Sequence, residues 1–404
     1  MFLQEQNRKK WILPITIGYF FTFIGFGFIG SALGPIINRL AESTGTGVAQ
    51  LSYLYLFRSL GFIGSSLILS RLFDRFPGNR LIGLGVLLLG GSLALLGNTV
   101  LLWQLFAVMF FIGIAANIID MGCNTLMQWL YRDEAGPYMN MVHVFYSIGS
   151  ITTPFLIGRS LESGGSIGRS LIVLGALLVP VSIYVFFLPS PRIPSDGSAA
   201  LENQNGAGHR SFWTFMIFAG LFILFMVGTE CTFTSWLPGF LFMGGLTDEA
   251  TAAYFTSIFW VGCLIGRSLS VWVSTKMKPH RFMQILLLIT LIASFGFVFF
   301  QKNIRLIMLT ILIVGASSGS MFPNMLLMIK EKIAMSARVN GIVFAFSEVG
   351  SMVVPWLIGQ LFDLRGAQVF PAAVLVQISA ALLFFVILHR KYPRRLEETS
   401  AEAI

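Results

Sequence analysis

The sequence predicts an all-α membrane protein: twelve transmembrane helices in two pseudo-symmetric six-helix bundles. Three observations predict it. The 404 residues are 55% hydrophobic and only 11% charged, with a mean hydropathy of +0.79. Soluble chains carry about a quarter charged residues, so lipid must solvate much of this one. Phe145 to Gly158, FYSIGSITTPFLIG, returns 201 residues later as Phe346 to Gly359, FSEVGSMVVPWLIG, with seven of the fourteen positions identical. A second echo joins FRSLGFIGSSL at Phe57 to Leu67 with FWVGCLIGRSL at Phe259 to Leu269. Tandem halves in so apolar a chain are the signature of a two-bundle secondary transporter.

A span needs roughly 20 apolar residues. Reading on that ruler places spans near 11–33, 49–71, 81–98, 101–129, 136–158 and 168–188, forming a first bundle over 1–188. The interval 189–210, PSPRIPSDGSAALENQNGAGHR, has no apolar face and reads as a flexible linker,. A second bundle over 211–404 then takes spans near 211–236, 250–272, 282–300, 305–328, 339–361 and 370–388, followed by a short basic tail. The first span follows the basic MFLQEQNRKK and is too long for a signal-peptide core, so it is read as permanent,. With the N-terminus inside, about 19 of the 27 Lys and Arg residues fall in cytoplasmic segments and about 6 outside. That asymmetry places both termini in the cytoplasm, in a plasma-membrane protein. The net charge of +9 is thus a membrane-topology signal and not a nucleic-acid footprint,.

The three cysteines, Cys123, Cys231 and Cys263, lie in apolar stretches with no metal-ligand spacing,. No nucleophile–base pair stands out either, so neither a cofactor nor an enzyme is expected. Charges inside spans carry more information. An ionised side chain at mid-bilayer costs about 2.5–3.5 kcal/mol on insertion scales, so it normally faces a partner or a watery cavity. Arg58, Asp120, His143, Glu230, Arg267 and Glu348 all fall inside spans.

Asp120 and Asn124 are four apart and share a helix face, which Asn117 and Gln128 extend,. A carboxylate beside amides can bind sugar hydroxyls and exchange a proton; the competing reading is an acid paired with a base to hold helices together. Glu230 sits in GTECTFTSW, read as a glycine-broken helix where hydroxyls, a carboxylate and the Trp236 indole make a sugar-binding surface. An ordinary helix end near the interface fits as well. His143 reads as a structural hydrogen-bonding group, and Arg267 as a side chain snorkelling from its helix end. Asn324, with Ser317, Ser318 and Ser320, adds further cavity candidates in span ten.

The loop SRLFDRFPGNR resembles the loop after span two of the major facilitator superfamily, with Asp74, Arg75, Gly78 and Arg80 filling its acidic, basic and glycine positions. In that family the loop latches the bundles on the cytoplasmic side. Spans two and eleven abut across the bundle boundary there, which makes Arg58 and Glu348 candidates for an interdomain pair, gating or static. Together DMGCN at Asp120 to Asn124, GTECTFTSWLP at Gly228 to Pro238, FWVGCLIGR at Phe259 to Arg267 and VHVFYSIGS at Val142 to Ser150 resemble the fucose/glucose permease group of that superfamily. The likeness runs to bacterial glucose/mannose–proton symporters and to animal sodium-dependent glucose transporters. It implies hexose uptake coupled to H⁺ or Na⁺, with Asp120, Asn124 and Glu230 as matching sites.

Two departures are visible. The first span lacks the second acid of the fucose permeases, and Tyr146 stands where they carry Asn, so neither fucose nor a two-carboxylate proton relay is implied. The expected site therefore comprises Asn117, Asn124, Gln128, Glu230, Trp236 and Asn324 for substrate, and Asp120 and Glu230 for the coupling ion. Arg58, Asp74, Arg75, Arg80, Arg267 and Glu348 are the expected gating residues. The expected partners are a sugar, an ion and the bilayer, around a monomer. An efflux antiporter for lipophilic compounds is the rival on the same scaffold, kept open by 39 Phe and 17 Met.

Overall fold

The computed structural model describes residues 3, 7–192, 209–273, 275–300, 303–333 and 337–392. Thirteen α-helices run through them: α1 (Arg8–Gly30), α2 (Leu33–Thr44), α3 (Val48–Arg75), α4 (Gly78–Leu96), α5 (Leu102–Tyr131), α6 (Ala135–Glu162), α7 (Ile167–Phe187), α8 (His209–Met243), α9 (Glu249–Val273), α10 (Pro279–Phe299), α11 (Ile304–Lys332), α12 (Ala337–Arg365) and α13 (Val369–Lys391). Eleven of them are long and apolar enough to cross a membrane. α3, with 28 residues, has the length of a span as well. α2 continues the first span past a two-residue break at Ser31 and Ala32.

That break departs from the single 11–33 span expected from the sequence. Gly30 and Gly34 flank it, Pro35 supplies no N–H to the first turn of α2, and the Ser31 hydroxyl donates 2.8 Å to the Ser150 carbonyl of α6,. Irregular backbone is tolerated at this depth where it is buried in protein or lines a cavity. The opposite correction applies to α8: it runs unbroken through Gly228 and Thr229, so the glycine-broken helix expected there does not occur.

The duplication is visible in the packing. In the first half α1 packs on α6, α3 on α5 and α4 on α7; in the second, α8 packs on α12, α9 on α11 and α10 on α13. Across the boundary, α6 packs on α9 and α12 on α3, the reciprocal pairing that a two-fold relation requires,. The repeated motif explains part of this. A Cβ on Gly149 would meet the Ile24 carbonyl of α1 and lie 3.0 Å from Gly27 Cα; one on Gly350 would lie 2.5 Å from the Leu224 carbonyl of α8. Each glycine lets two backbones touch at the same place in its half.

The buried residues divide unevenly. One apolar core takes in the first half together with Phe233, Trp236, Phe240, Phe259 and Phe370 of the second. A separate core, with Phe215, Phe222, Met283, Met325 and Phe385, fills only the other end of the second half. The bundles are thus fused at the end carrying the α2–α3, α8–α9 and α12–α13 turns. Toward the other end the second bundle packs on itself. Large apolar residues on the outside, such as Phe187 at 78% and Phe299 at 71% exposed, suit a lipid environment,.

Candidate functional site

A cavity of about 80 Å³ lies between the bundles, beneath their fused end. Its walls come from both halves: Ile29 and Gly30 of α1, Gly34 of α2, Tyr55 and Arg58 of α3, Tyr146 of α6, Glu230, Cys231 and Thr234 of α8, Trp260 of α9 and Ser351 of α12. The broken first span therefore opens onto it. Tyr146 lies over Gly30, where a Cβ would strike the phenol oxygen, and its ring meets Trp260 edge-on at 5.5 Å.

Polar groups at this cavity are under-satisfied. Tyr55 Oη, Arg58 Nε and Trp260 Nε1 are buried and make no hydrogen bond. Ser235 is beside Tyr55 Oη but outside standard hydrogen-bond geometry. Buried polar atoms are paired in the great majority of cases, and leaving one unpaired costs about 1–3 kcal/mol. All three belong to residues that line the one void.

Beside the cavity, Arg267 Nη2 stands 3.7 Å from Glu230 Oε1, while Nη1 donates to Ser147 Oγ at 2.6 Å and to the His143 carbonyl at 3.1 Å. The guanidinium lies 5.7 Å from the Trp260 ring and 5.9 Å from Tyr146. It does not snorkel from the helix end as the sequence reading had it; the carboxylate and the α6 acceptors hold it inside. The His143 ring packs edge-on against Phe23 at 5.6 Å, and its backbone carbonyl is what meets Arg267.

The other expected residues disperse. Asn124 Nδ2 donates 2.9 Å to Asp120 Oδ1, as the shared helix face requires. Among the described residues no basic side chain is within ion-pair distance of Asp120, and its charged neighbour is Glu348 across the boundary. Glu348 also feels the charge of Arg58, but the two form no ion pair within 4 Å; Ser351 donates 3.4 Å to Glu348 Oε2 instead. Asn117 donates to Ser65 Oγ at 2.7 Å and fastens α5 to α3, and Asn324 donates to the Pro279 carbonyl at 2.9 Å and fastens α11 to α10. The Trp236 indole is fully buried with its N–H on the Pro355 carbonyl at 2.9 Å. These three support helix packing and do not line the cavity. Gln128 is exposed near the end of α5. Arg75 and Arg80 are exposed, with Arg80 5.7 Å from the Phe186 ring; the Asp74 side chain is outside the described residues, as is most of the linker.

Tyr55 and Trp260 are among the cavity residues that the sequence reading missed. Each sits in an aromatic-rich run that reads as core, although Trp260 occupies the place in the second echo that Arg58 occupies in the first.

At the fused end, polar ties cross the boundary. Arg39 of α2 meets Glu249 of α9 at 2.7 Å, Tyr254 of α9 donates to Glu162 of α6 at 2.9 Å, and Gln360 of α12 donates to Ser52 Oγ of α3 at 2.9 Å. The Arg39 side chain is 50% exposed, so its pair adds at most about 1 kcal/mol to closure,. Glu249→Gln is accordingly expected to raise the population open at this end by up to about fivefold. Distance distributions between spin labels placed across that end would check it, and unchanged distributions would count against a gating role.

Duplicated membrane bundles around a central polar cavity define a transporter. Residues 15–355 match the Major Facilitator Superfamily, and the chain belongs to that family of transporters, not to an enzyme class. Sodium-dependent glucose transporter 1 of Xenopus laevis is 24% identical over 361 residues, covering 82% of this chain and 72% of that protein. Sodium-dependent glucose transporter 1A of Mus musculus is 23% identical over 379 residues, 84% of this chain and 87% of that protein. Among solved structures, the nucleoside transporter NupG superposes with a TM-score of 0.69 at 14% identity, over 94% of this chain and 98% of that one. A bacterial homolog of the human lysosomal transporter Spinster, inward-facing and occupied, gives a TM-score of 0.67 at 13% identity over 100% and 98%. At such identities the structural likeness speaks for the fold alone.

Proposed function

We propose that this protein takes up a hexose or related sugar by alternating access, coupled to H⁺ or Na⁺, as a plasma-membrane monomer with cytoplasmic termini. The observation that carries the reading is the inter-bundle cavity, where a carboxylate meets three unpaired polar atoms from both halves. A polyhydroxylated solute supplies donors and acceptors to all of them. A lipophilic compound would leave them unpaired, which argues against the efflux rival. The sodium-dependent glucose transporters among its relatives support the same substrate class. With the termini cytoplasmic, the fused end is the outer one, and the molecule has the shape of an inward-facing state.

In the proposed cycle Asp120 takes the coupling ion while the cavity faces outward. Sugar binds against Tyr55, Arg58, Glu230 and Trp260, the bundles rock, and both leave inward. Asn124 holds the Asp120 carboxylate in place. Purified protein in liposomes, given a panel of labelled hexoses under separately imposed proton and sodium gradients, tests this. Accumulation of a hexose under one gradient supports it; export of lipophilic dyes with no sugar movement would replace it. Within the same assay, Tyr55→Phe is expected to raise KM about 3–10-fold with kcat unchanged, the effect of losing one uncharged hydrogen bond. An unaltered KM would remove Tyr55 from the site.

A further inference from the structure

The guanidinium of Arg267 is shared. In its own bundle it faces the Glu230 carboxylate at 3.7 Å, beyond hydrogen-bond reach; its short bonds go to Ser147 Oγ and the His143 carbonyl in the other bundle. Ser147 is fully buried, and the Glu230 side chain, 23% exposed, is on the cavity wall. Two acceptors on opposite sides of a moving boundary thus compete for one fixed charge. We propose that Ser147 and Arg267 form a clamp that converts the charge state of Glu230 into adhesion between the bundles. This rests on the ion-coupled transport reading above, and it assigns Ser147 as a positioning residue.

The physical argument is direct. An ionised Glu230 pulls the guanidinium toward α8 and weakens its hold on α6. A cation or proton on Glu230 removes that pull, and the charge-assisted bonds to α6 tighten. Arginine suits the task because its planar fork reaches two acceptors at once and it stays charged. The groups that face this pair from the surrounding helices are Arg58 of α3, His143 and Tyr146 of α6, Cys231 of α8, Cys263 of α9 and Glu348 of α12. Arg58 and Glu348 act on Tyr146 and Cys231 beside the pair, whereas the charge that Glu230 itself meets is that of Arg267.

Cys231 gives a readout that needs no sugar. It lines the cavity, whereas Cys123 and Cys263 are 1% and 0% exposed. Alkylation of Cys231 by N-ethylmaleimide in liposomes, followed by mass spectrometry, reports how open the cavity is. Rates would be taken over a pH series at fixed sodium and a sodium series at fixed pH, each normalised to the unfolded protein. The wild type is expected to vary about tenfold or more with one of the two ions, the scale of one hydrogen bond to a charged group. Ser147→Ala and Glu230→Gln are each expected to flatten that dependence to within about twofold, and the double variant to add nothing, since both act through Arg267. Arg267→Lys, which keeps the charge but not the fork, should flatten it as well and serves if Ser147→Ala aggregates. An ion dependence retained in Ser147→Ala, additive effects in the double variant, or no dependence in the wild type would overturn the clamp. Hexose counterflow by the wild type tests the substrate reading separately. Absent counterflow beside intact ion-dependent alkylation would sink the sugar and leave the clamp standing.

Discussion

Asp120→Asn is expected to abolish uphill accumulation of the substrate while leaving exchange across the membrane intact. With a tenfold ion gradient and one ion per sugar, the wild type can concentrate its substrate about tenfold. The variant should stop at a ratio of one. The amide keeps the shape of the side chain and its bond with Asn124, but it can neither take up a proton nor balance a cation,. The geometry favours this over a structural role, because no basic side chain pairs with Asp120 among the described residues and Glu348 is the charge it meets across the boundary. Counterflow and gradient-driven uptake measured on the same liposomes decide the matter. Undiminished accumulation would leave the coupling role to Glu230 alone.

The second large effect concerns folding. Gly149→Leu and Gly350→Leu are each expected to leave little folded protein, below about a tenth of the wild-type yield. Overpacking a core ordinarily costs about 1–3 kcal/mol, and here the added carbon meets backbone, which cannot rotate aside,. Because a whole helix pair must be displaced, the cost is on the scale of the total stability of about 5–15 kcal/mol and empties the folded state. Gly91→Leu is the control: nothing lies within 4 Å of a Cβ there, on an exposed face of α4. Size-exclusion profiles of the three variants in detergent would show it, and a normal peak for either inner variant would mean the helices do not cross where the repeat puts them.

Those two glycines also show what could be read from the chain in advance. The repeat that contains them announced two halves, and in the structure both copies make the same helix crossing. Linear features of this kind survive translation into sequence because they are local: a span's length, a motif's recurrence, a charged loop between apolar runs. The pairing of Asn124 with Asp120 was legible for the same reason, since four residues make one helical turn,.

Membership of the cavity wall was not legible. Trp236, Asn117 and Asn324 are candidates on paper and Tyr55 and Trp260 are not, yet the cavity wall takes in the latter two and none of the former three. A soluble helix advertises its inner face by a polar stripe on the other side. A helix surrounded by lipid and by other apolar helices carries hydrophobic residues all round, so its rotation about its own axis leaves no periodic trace. The same holds for Arg267, whose choice between Glu230 and Ser147 depends on the separation of two bundles.

Sequence alone therefore determined the duplicated, twelve-span membrane architecture and the set of polar side chains that must avoid lipid. Tertiary structure decided which of those side chains face one another across the bundle boundary and which merely fasten helices. The physical reason is that burial from lipid is a requirement each residue meets individually, whereas a hydrogen-bonding cavity exists only once the two halves have set their relative rotation and distance.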